Sequence, residues 1–486
     1  MVNSAAIHLQ KAEVEVVEVT KEELNWSTVS LSDVINKGKR LEASVFDVES
    51  KHARELVRNS KYGYAEINLS DDIIECYTRP RFKRIWLEKS EYPIYQPTSM
   101  LDVYPTNDGY ISRLTNTDID ALRVHKGQVL VTCSGTIGNV SFVSDTLDKK
   151  IFSHDLLRIR FKKEADNGFF YTFLRTDIGK SILKSNKYGS VISHIEAEHI
   201  NEVIMPTPPI FLKQKIHDLI VKSYENRDYS NHLIDEATKL LVDELELPSI
   251  EEMQEEAFSY SKEINYFRIK LSELNGRLEG SYHVPIVDVI EKYLSKNAIL
   301  VRLDDESLTK KIILAGVFKR NYVQKGHGYP FIGGKEITQL GPETDKYLSK
   351  ITHKDRYEKE LRVEKNWILV TDRGTIGKVV LVPEQMNGFA VSQNVLKVVP
   401  NSNHGYIYCF LNSDYGKKLI EREIYGSVVN MIDDKSLGNI KIPILKDEDK
   451  VSIINDLVIK ANDLRYEAYK KEQKAIDIMN KEVLGI

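Results

Sequence analysis

The sequence has little cysteine: three residues in 486, odd in number and far apart. That excludes a disulfide-stapled scaffold and points to a reducing compartment, with the cytoplasm as the expected location. No run of about 18 apolar residues exists, so no membrane-spanning helix is expected. The first residues, MVNSAAIHLQKAEVEVVEVTKEELNW, lack the apolar core of a signal peptide. A basic excess is missing too. Lys plus Arg is 68 and Asp plus Glu is 72, a formal charge of −4, so any surface for a polyanion must be local and balanced elsewhere. With 42% hydrophobic and 29% charged residues the chain is neither disordered nor collagenous. At roughly 100–200 residues per domain, two to four folding units are expected.

What the sequence does contain is a duplication. LVTCSGTIGNVSFV from Leu130 returns as LVTDRGTIGKVVLV from Leu369, a shift of 369 − 130 = 239. Tyr188-Gly189-Ser190-Val191 returns at Tyr425, shifted by 237. Arg40-Leu41-Glu42-Ala43 returns as Arg277-Leu278-Glu279-Gly280, again by 237, and Phe82-Lys83-Arg84 as Phe318-Lys319-Arg320, by 236. Four markers in one order at nearly one offset identify a tandem repeat of about half the chain, far too long for a solenoid unit.

The first part of each copy is rich in short apolar runs between glycines: Val129 to Thr132, Val140 to Val143 and Leu156 to Phe161, then Ile368 to Thr371, Val379 to Val382 and Val395 to Val399. Such β-branched runs read as strands. Phe169 to Lys184 and Tyr406 to Ile424 read as helical. Each copy is therefore a mixed α/β domain of about 170 residues, a usual size.

The second part differs. Neither Leu212 to Leu247 nor Glu448 to Val483 contains Gly or Pro. Ile454, Leu457, Ala461, Leu464, Ala468, Ala475 and Ile478 recur at spacings of three and four, broken at Lys471; Ile216, Ile220, Tyr224, Ile234, Leu241 and Leu245 form a weaker seam with Arg227, Asn231 and Thr238 between. Narrow apolar seams with charged flanks are the mark of helices wound together. A helix of about 36 residues is roughly 54 Å long. Pro248 closes the first helix, and an acidic stretch follows. The expected fold class is α+β. The expected divisions are an extension, 1–30; a domain, 31–208; a long helix, 209–247; an acidic linker, 248–267; a second domain, 268–445; and a second long helix, 446–486.

Enzyme signatures fit poorly. Thr207-Pro208-Pro209-Ile210 lacks the amide and aromatic ring of an amino-methyltransferase loop. Gly328 to Glu336 has one residue too many for a P-loop and a Glu where the hydroxyl belongs. Three Glu-x-Lys tripeptides, at Glu49, Glu448 and Glu472, suit a metal-dependent nuclease, but none repeats at the offset. Cys133 corresponds to Asp372, Cys409 to Thr172 and His154 to Gln393, and Cys76 has no counterpart, which speaks against zinc or a thiol nucleophile. No catalytic residue, metal or cofactor is assigned.

Two repeated features suit DNA. Gly135-Thr136-Ile137-Gly138 and Gly374-Thr375-Ile376-Gly377 read as tight turns, which glycine geometry alone explains. Around them Thr132, Ser134, Thr136, Thr371, Arg373, Thr375 and Lys378 are placed to approach a phosphate backbone. The second feature is Arg79, Arg81, Phe82, Lys83 and Arg84 with Trp86 nearby, matched by Phe318, Lys319, Arg320, Tyr322 and Lys325. Basic residues interleaved with aromatics suit a nucleic-acid surface; the plain alternative is a solvated charged face, against which repetition argues. Arg113 is added to this surface.

The ordered set resembles the specificity subunits of type I restriction–modification systems. It comprises LVTxxGTIG in each copy, the downstream YGSV, and the apolar-Pro-Thr-Pro-Pro phrase from Met205 to Gln214 leading into the long helix. The resemblance implies two target-recognition domains, each reading half of a split DNA site. It implies that the two long helices pair as an antiparallel coiled coil that spaces the domains. It further implies double-stranded DNA, two methyltransferase subunits and, through the complex, restriction subunits as partners. Residues that differ between the copies, in 92–122 and 329–361, are then expected to hold base-reading loops. Ile442-Pro443-Ile444-Leu445 with Asp449-Lys450 departs from the two prolines and Glu-Gln that the family often has there. Other readings are a fused nuclease or methyltransferase of another restriction class, and a coiled-coil scaffold for proteins.

Overall fold

The computed structural model describes residues 28–36, 39, 43–187, 193–258, 267–274, 276–426 and 428–486. The extension up to residue 27, most of the first RLEA text, the first YGSV text and linker residues 259–266 lie outside them. No described helix is long and apolar enough to cross a membrane.

The two domains repeat one topology, three sheets each. In the first, an antiparallel sheet runs Ile73–Tyr77, Leu156–Phe161, Val129–Thr132, Val140–Phe142; in the second, Thr309–Ile313, Val395–Pro400, Ile368–Thr371, Val379–Leu381. Even the register shift repeats, between Ile73 and Glu75 and between Thr309 and Lys311. The central strands Val129–Thr132 and Ile368–Thr371 are buried along their whole length, as unbroken β-branched runs demand. A smaller sheet runs Trp86–Leu87, Gly109–Ile111, Pro93–Tyr95, Ile151–Phe152, matched by Tyr322–Val323, Tyr347–Ser349, Gly328–Ile332, Ala390–Val391. A two-stranded ribbon completes each domain, Tyr64–Glu66 with Ile204–Pro206 and Ala298–Arg302 with Lys441–Leu445.

The stretches read as helical within the domains each divide in two. Glu164–Arg175 and Asp177–Lys184 meet at Thr176, whose hydroxyl accepts from the Gly179 amide at 3.0 Å; His404–Asn412 and Asp414–Glu423 meet at Ser413, which accepts from Gly416 at 3.2 Å. These are N-caps, which satisfy a free amide at the start of a new helix.

The long helices span Ile210–Glu244 and Glu448–Ile478, 35 and 31 residues, or about 52 and 46 Å. They lie side by side and run in opposite directions. Ser223 Oγ donates to the Ala468 carbonyl at 2.7 Å, Arg465 reaches Asn231 Oδ1 at 3.3 Å, and Lys450 pairs with Glu244 at 2.8 Å. Each domain core takes half of each helix. The first packs Phe169, Phe170 and Phe173 against Ile216, Ile220 and Tyr224, and closes with Ala475, Ile478, Met479 and Val483. The second packs Tyr406, Ile407 and Phe410 against Leu233, Ile234 and Leu241 and against Ile454, Val458 and Ala461. The domains therefore sit at opposite ends of the helix pair.

The seam between the helices is not wholly apolar. Glu472 is buried and receives Arg227, Arg175 Nε at 3.0 Å and the Tyr171 hydroxyl at 2.7 Å. Two guanidiniums and a phenol on one carboxylate supply the hydrogen bonds that a buried charge requires.

The domains also touch directly. The Val103 amide donates to the Thr338 carbonyl at 2.9 Å and the Leu340 amide to the Leu101 carbonyl at 2.8 Å, pairing Asp102 with Gln339 in an antiparallel bridge. Tyr104 donates to the Asn231 carbonyl at 2.9 Å, and Leu340 packs on the first domain's core. This corrects part of the expectation for 92–122 and 329–361: the stretches 101–104 and 338–343 are spent on the domain contact, not held out toward bases.

Candidate DNA interface

In both copies the basic–aromatic segment leads into the edge strand of the smaller sheet, Trp86–Leu87 or Tyr322–Val323. Charge on an exposed edge also guards against strand addition. The detail goes further than that. The Arg84 guanidinium lies 5.8 Å from the ring centres of both Phe82 and Trp86, and Arg320 lies 5.2 Å from that of Phe331. Arg81, Lys83, Lys319, Arg320, Tyr322 and Lys325 are exposed. Among the described residues, no ion pair engages Arg79, Arg81, Lys83, Arg84, Arg113, Lys319, Arg320 or Lys325. The Nε atoms of Arg79 and Arg84 are buried with no hydrogen-bond partner among those residues. Arg113 is exposed, and the amide of its neighbour Ser112 donates to the Ile85 carbonyl at 2.8 Å.

A corner of backbone links this cluster to the glycine turn. In the first domain, His154 meets Phe82 edge-on at 5.8 Å, while the Cys133 amide donates to the Asp155 carbonyl at 3.4 Å. In the second, Gln393 accepts from Arg320 at 3.0 Å, and the Asp372 amide donates to the Asn394 carbonyl at 3.3 Å. The cluster and the turn therefore share one edge of each domain. Burial lowers the His154 pKa, Asp155 opposes this, and Arg84 and Arg81 add to the lowering.

The turn itself divides the expected residues. Gly135, Gly138, Gly374 and Gly377 have φ between +67° and +88°, a region that side chains disfavour. Thr132 and Thr371 are buried; each hydroxyl donates at 2.6 Å to the carbonyl of Thr136 or Thr375 and accepts at 3.0 Å from the amide of Asn139 or Lys378. Both staple the turn shut, so the expectation that they reach a phosphate is replaced by a turn-forming role. Thr136, Thr375 and Arg373 are exposed and Ser134 half-buried. Lys378 is half-buried, and its charge opposes the rise that burial gives the carboxyls of Asp102 and Asp108.

One pair escaped the sequence reading. Arg158 and Lys397 are both fully buried in equivalent strands. Arg158 donates to the carbonyls of Leu156, Leu122 and Phe152 at 2.9–3.1 Å, bracing the corner that holds His154. Lys397 donates to the Val395 carbonyl at 3.2 Å. Burial pulls its pKa down to about 8 against the pull of Asp372, and burial pushes Asp372 up to about 6. The offset, 397 − 158 = 239, is that of the LVT motif and was the available signal.

Among the described residues no group of three or more His, Cys, Asp or Glu is arranged to hold a metal. Burial pushes the Cys76, Cys133 and Cys409 thiols up to about 12, so they are protonated at neutral pH.

Two copies of one domain, each with a basic edge that no ion pair engages among the described residues, are held at opposite ends of a helix pair. The family model for the type I restriction modification DNA specificity domain matches residues 23–239 and 309–464, more than half of the chain. The chain belongs to that family and is a DNA-recognition specificity subunit. Among solved structures it is similar to the S subunit of the type I restriction–modification system from M. genitalium: 14% identity over 88% of this chain and 96% of that one, TM-score 0.33. The HsdS subunit from Thermoanaerobacter tengcongensis gives 14% identity over 87% and 97%, TM-score 0.26. A chain from a study of type I system assembly and conformational transition gives 15% over 86% and 98%, TM-score 0.27. No curated protein matches.

Proposed function

We propose that this subunit reads a bipartite DNA site, one half per domain, and is itself non-catalytic. The long helices act as an antiparallel coiled coil that spaces the domains. Methyl transfer and cleavage belong to partners: two methyltransferase subunits docked on the helices, and restriction subunits joined through the complex, in the cytoplasm. Backbone contacts are assigned to Arg79, Arg81, Lys83, Arg84, Arg113, Ser134 and Thr136 in the first domain, and to Lys319, Arg320, Tyr322, Lys325, Arg373 and Thr375 in the second. The observation carrying this reading is the repetition, in both domains, of an unpaired basic–aromatic edge beside the glycine turn. Shared positions suit backbone contacts, and an approximate two-fold matches the dyad of the DNA backbone.

Methylome sequencing of cells with and without the gene tests it. The expected result is a split motif, two short specified halves around a gap of fixed length, present only with the gene. A continuous motif, or methylation indifferent to the gene, overturns the reading.

A further inference from the structure

We infer that the junction at Asp102 and Gln339 is a specificity-determining contact that sets the length of the gap in the DNA site. The inference rests on the bipartite reading above and adds a second ruler to the helices.

Each base pair of gap changes the separation of two half-sites by about 3.4 Å and their relative rotation by about 35°. A two-domain reader that rejects a gap one base pair too long must fix both quantities. Helices about 50 Å long fix separation well but bend gently, and a single linkage leaves a twist between the domains at its ends. The junction supplies the second linkage. Val103 to Thr338 and Leu340 to Leu101 are two backbone hydrogen bonds related by the repeat itself. Thr338 Oγ1 donates to Asp102 Oδ1 at 2.7 Å. Glu343 of the second domain pairs with Arg175 and, at 3.0 Å, with Lys180 of the first.

A polar cavity of about 200 Å³ remains beside the junction, lined in part by Arg175, Lys180, Lys335 and Glu343. Leu340 and Tyr104 pack only on the margins of the two cores, whose buried residues come from each domain's own elements and the helices, so the junction can be undone while both cores stand.

The test uses the whole chain in cells carrying its restriction–modification system. The double variant L340S/E343A is expected to keep both half-motifs while the gap changes from one length to a mixture of neighbouring lengths. A uniform, unchanged gap overturns the inference; absence of a split motif with the natural chain overturns the reading beneath it instead. Should L340S/E343A methylate nothing, a second variant decides. D102C/Q339C places cysteines at a bridge position where Cα atoms stand about 4.5 Å apart, within disulfide reach. Duplexes carrying the natural motif and gaps one base pair longer or shorter are then bound to its oxidised and reduced forms. Preference for the natural gap about tenfold greater when oxidised supports the inference. Equal preference in the two forms overturns it.

Discussion

Asp102 and Gln339 hold equivalent positions in the two copies, 339 − 102 = 237, and they face each other across an antiparallel bridge. A residue that pairs with its own counterpart marks the axis relating the copies. The approximate two-fold of the molecule therefore passes between these two side chains. Symmetry inferred from repeated text has a physical location, and that location is a contact.

Glu472 carries the first prediction. Burial alone raises its pKa, but Arg227 and Arg175 outweigh burial and hold it at about 2, against an ordinary 4.5. The folded value lies below the unfolded one, so the stabilisation is complete above pH 4.5 and drains away as pH falls toward 2. Glu472→Gln leaves Arg227 buried without a counter-charge, while Arg175 keeps Glu343, and is expected to cost about 3–5 kcal/mol at neutral pH. Urea melts between pH 7 and 3 check both parts: the variant starts lower and loses less in acid.

Lys319 and Arg320 carry the second. Replacing both with Ala is expected to weaken duplex binding for every sequence alike. The slope of log K against log salt shrinks by about 2. Titrations at several salt concentrations measure it, and unchanged affinity removes these residues from the interface.

Two glycines separate backbone strain from steric exclusion. A Cβ on Gly179 would lie 2.1 Å from the Phe173 carbonyl, as one on Gly416 would from that of Phe410. Gly179→Ala is expected to cost about 3 kcal/mol or more. At Gly135, φ is +67° but a Cβ meets nothing within 4 Å, so Gly135→Ala costs only about 1–2 kcal/mol. Thermal melts of the two variants rank them.

The helices supply the fourth. Deleting one matched heptad from each shortens the pair by about 10 Å, and the gap in the methylated motif is expected to narrow. An unchanged gap would remove the helices as a ruler.

Much of this architecture was legible in the sequence because burial on both faces writes itself as unbroken apolar runs. Val129 to Thr132 and Ile368 to Thr371 are strands with those bounds. The basic edge was legible through its repetition. Other features left weaker traces. The domain junction is built largely from backbone bonds at Val103 and Leu340, which no side-chain pattern announces. Glu472 entered only as the head of a Glu-x-Lys tripeptide, since its partners come from two other elements. Thr132 and Thr371 looked available because sequence cannot tell a hydroxyl folded back on its own turn from one facing solvent.

The sharing of cores between distant segments bears on how the chain is made. Tyr171 must wait for Glu472, synthesised 301 positions later, and its domain stays open until Ala475 to Val483 arrive. A nascent chain on the ribosome therefore exposes an unfinished first half throughout elongation. A frameshift late in the gene would injure the domain that was translated first.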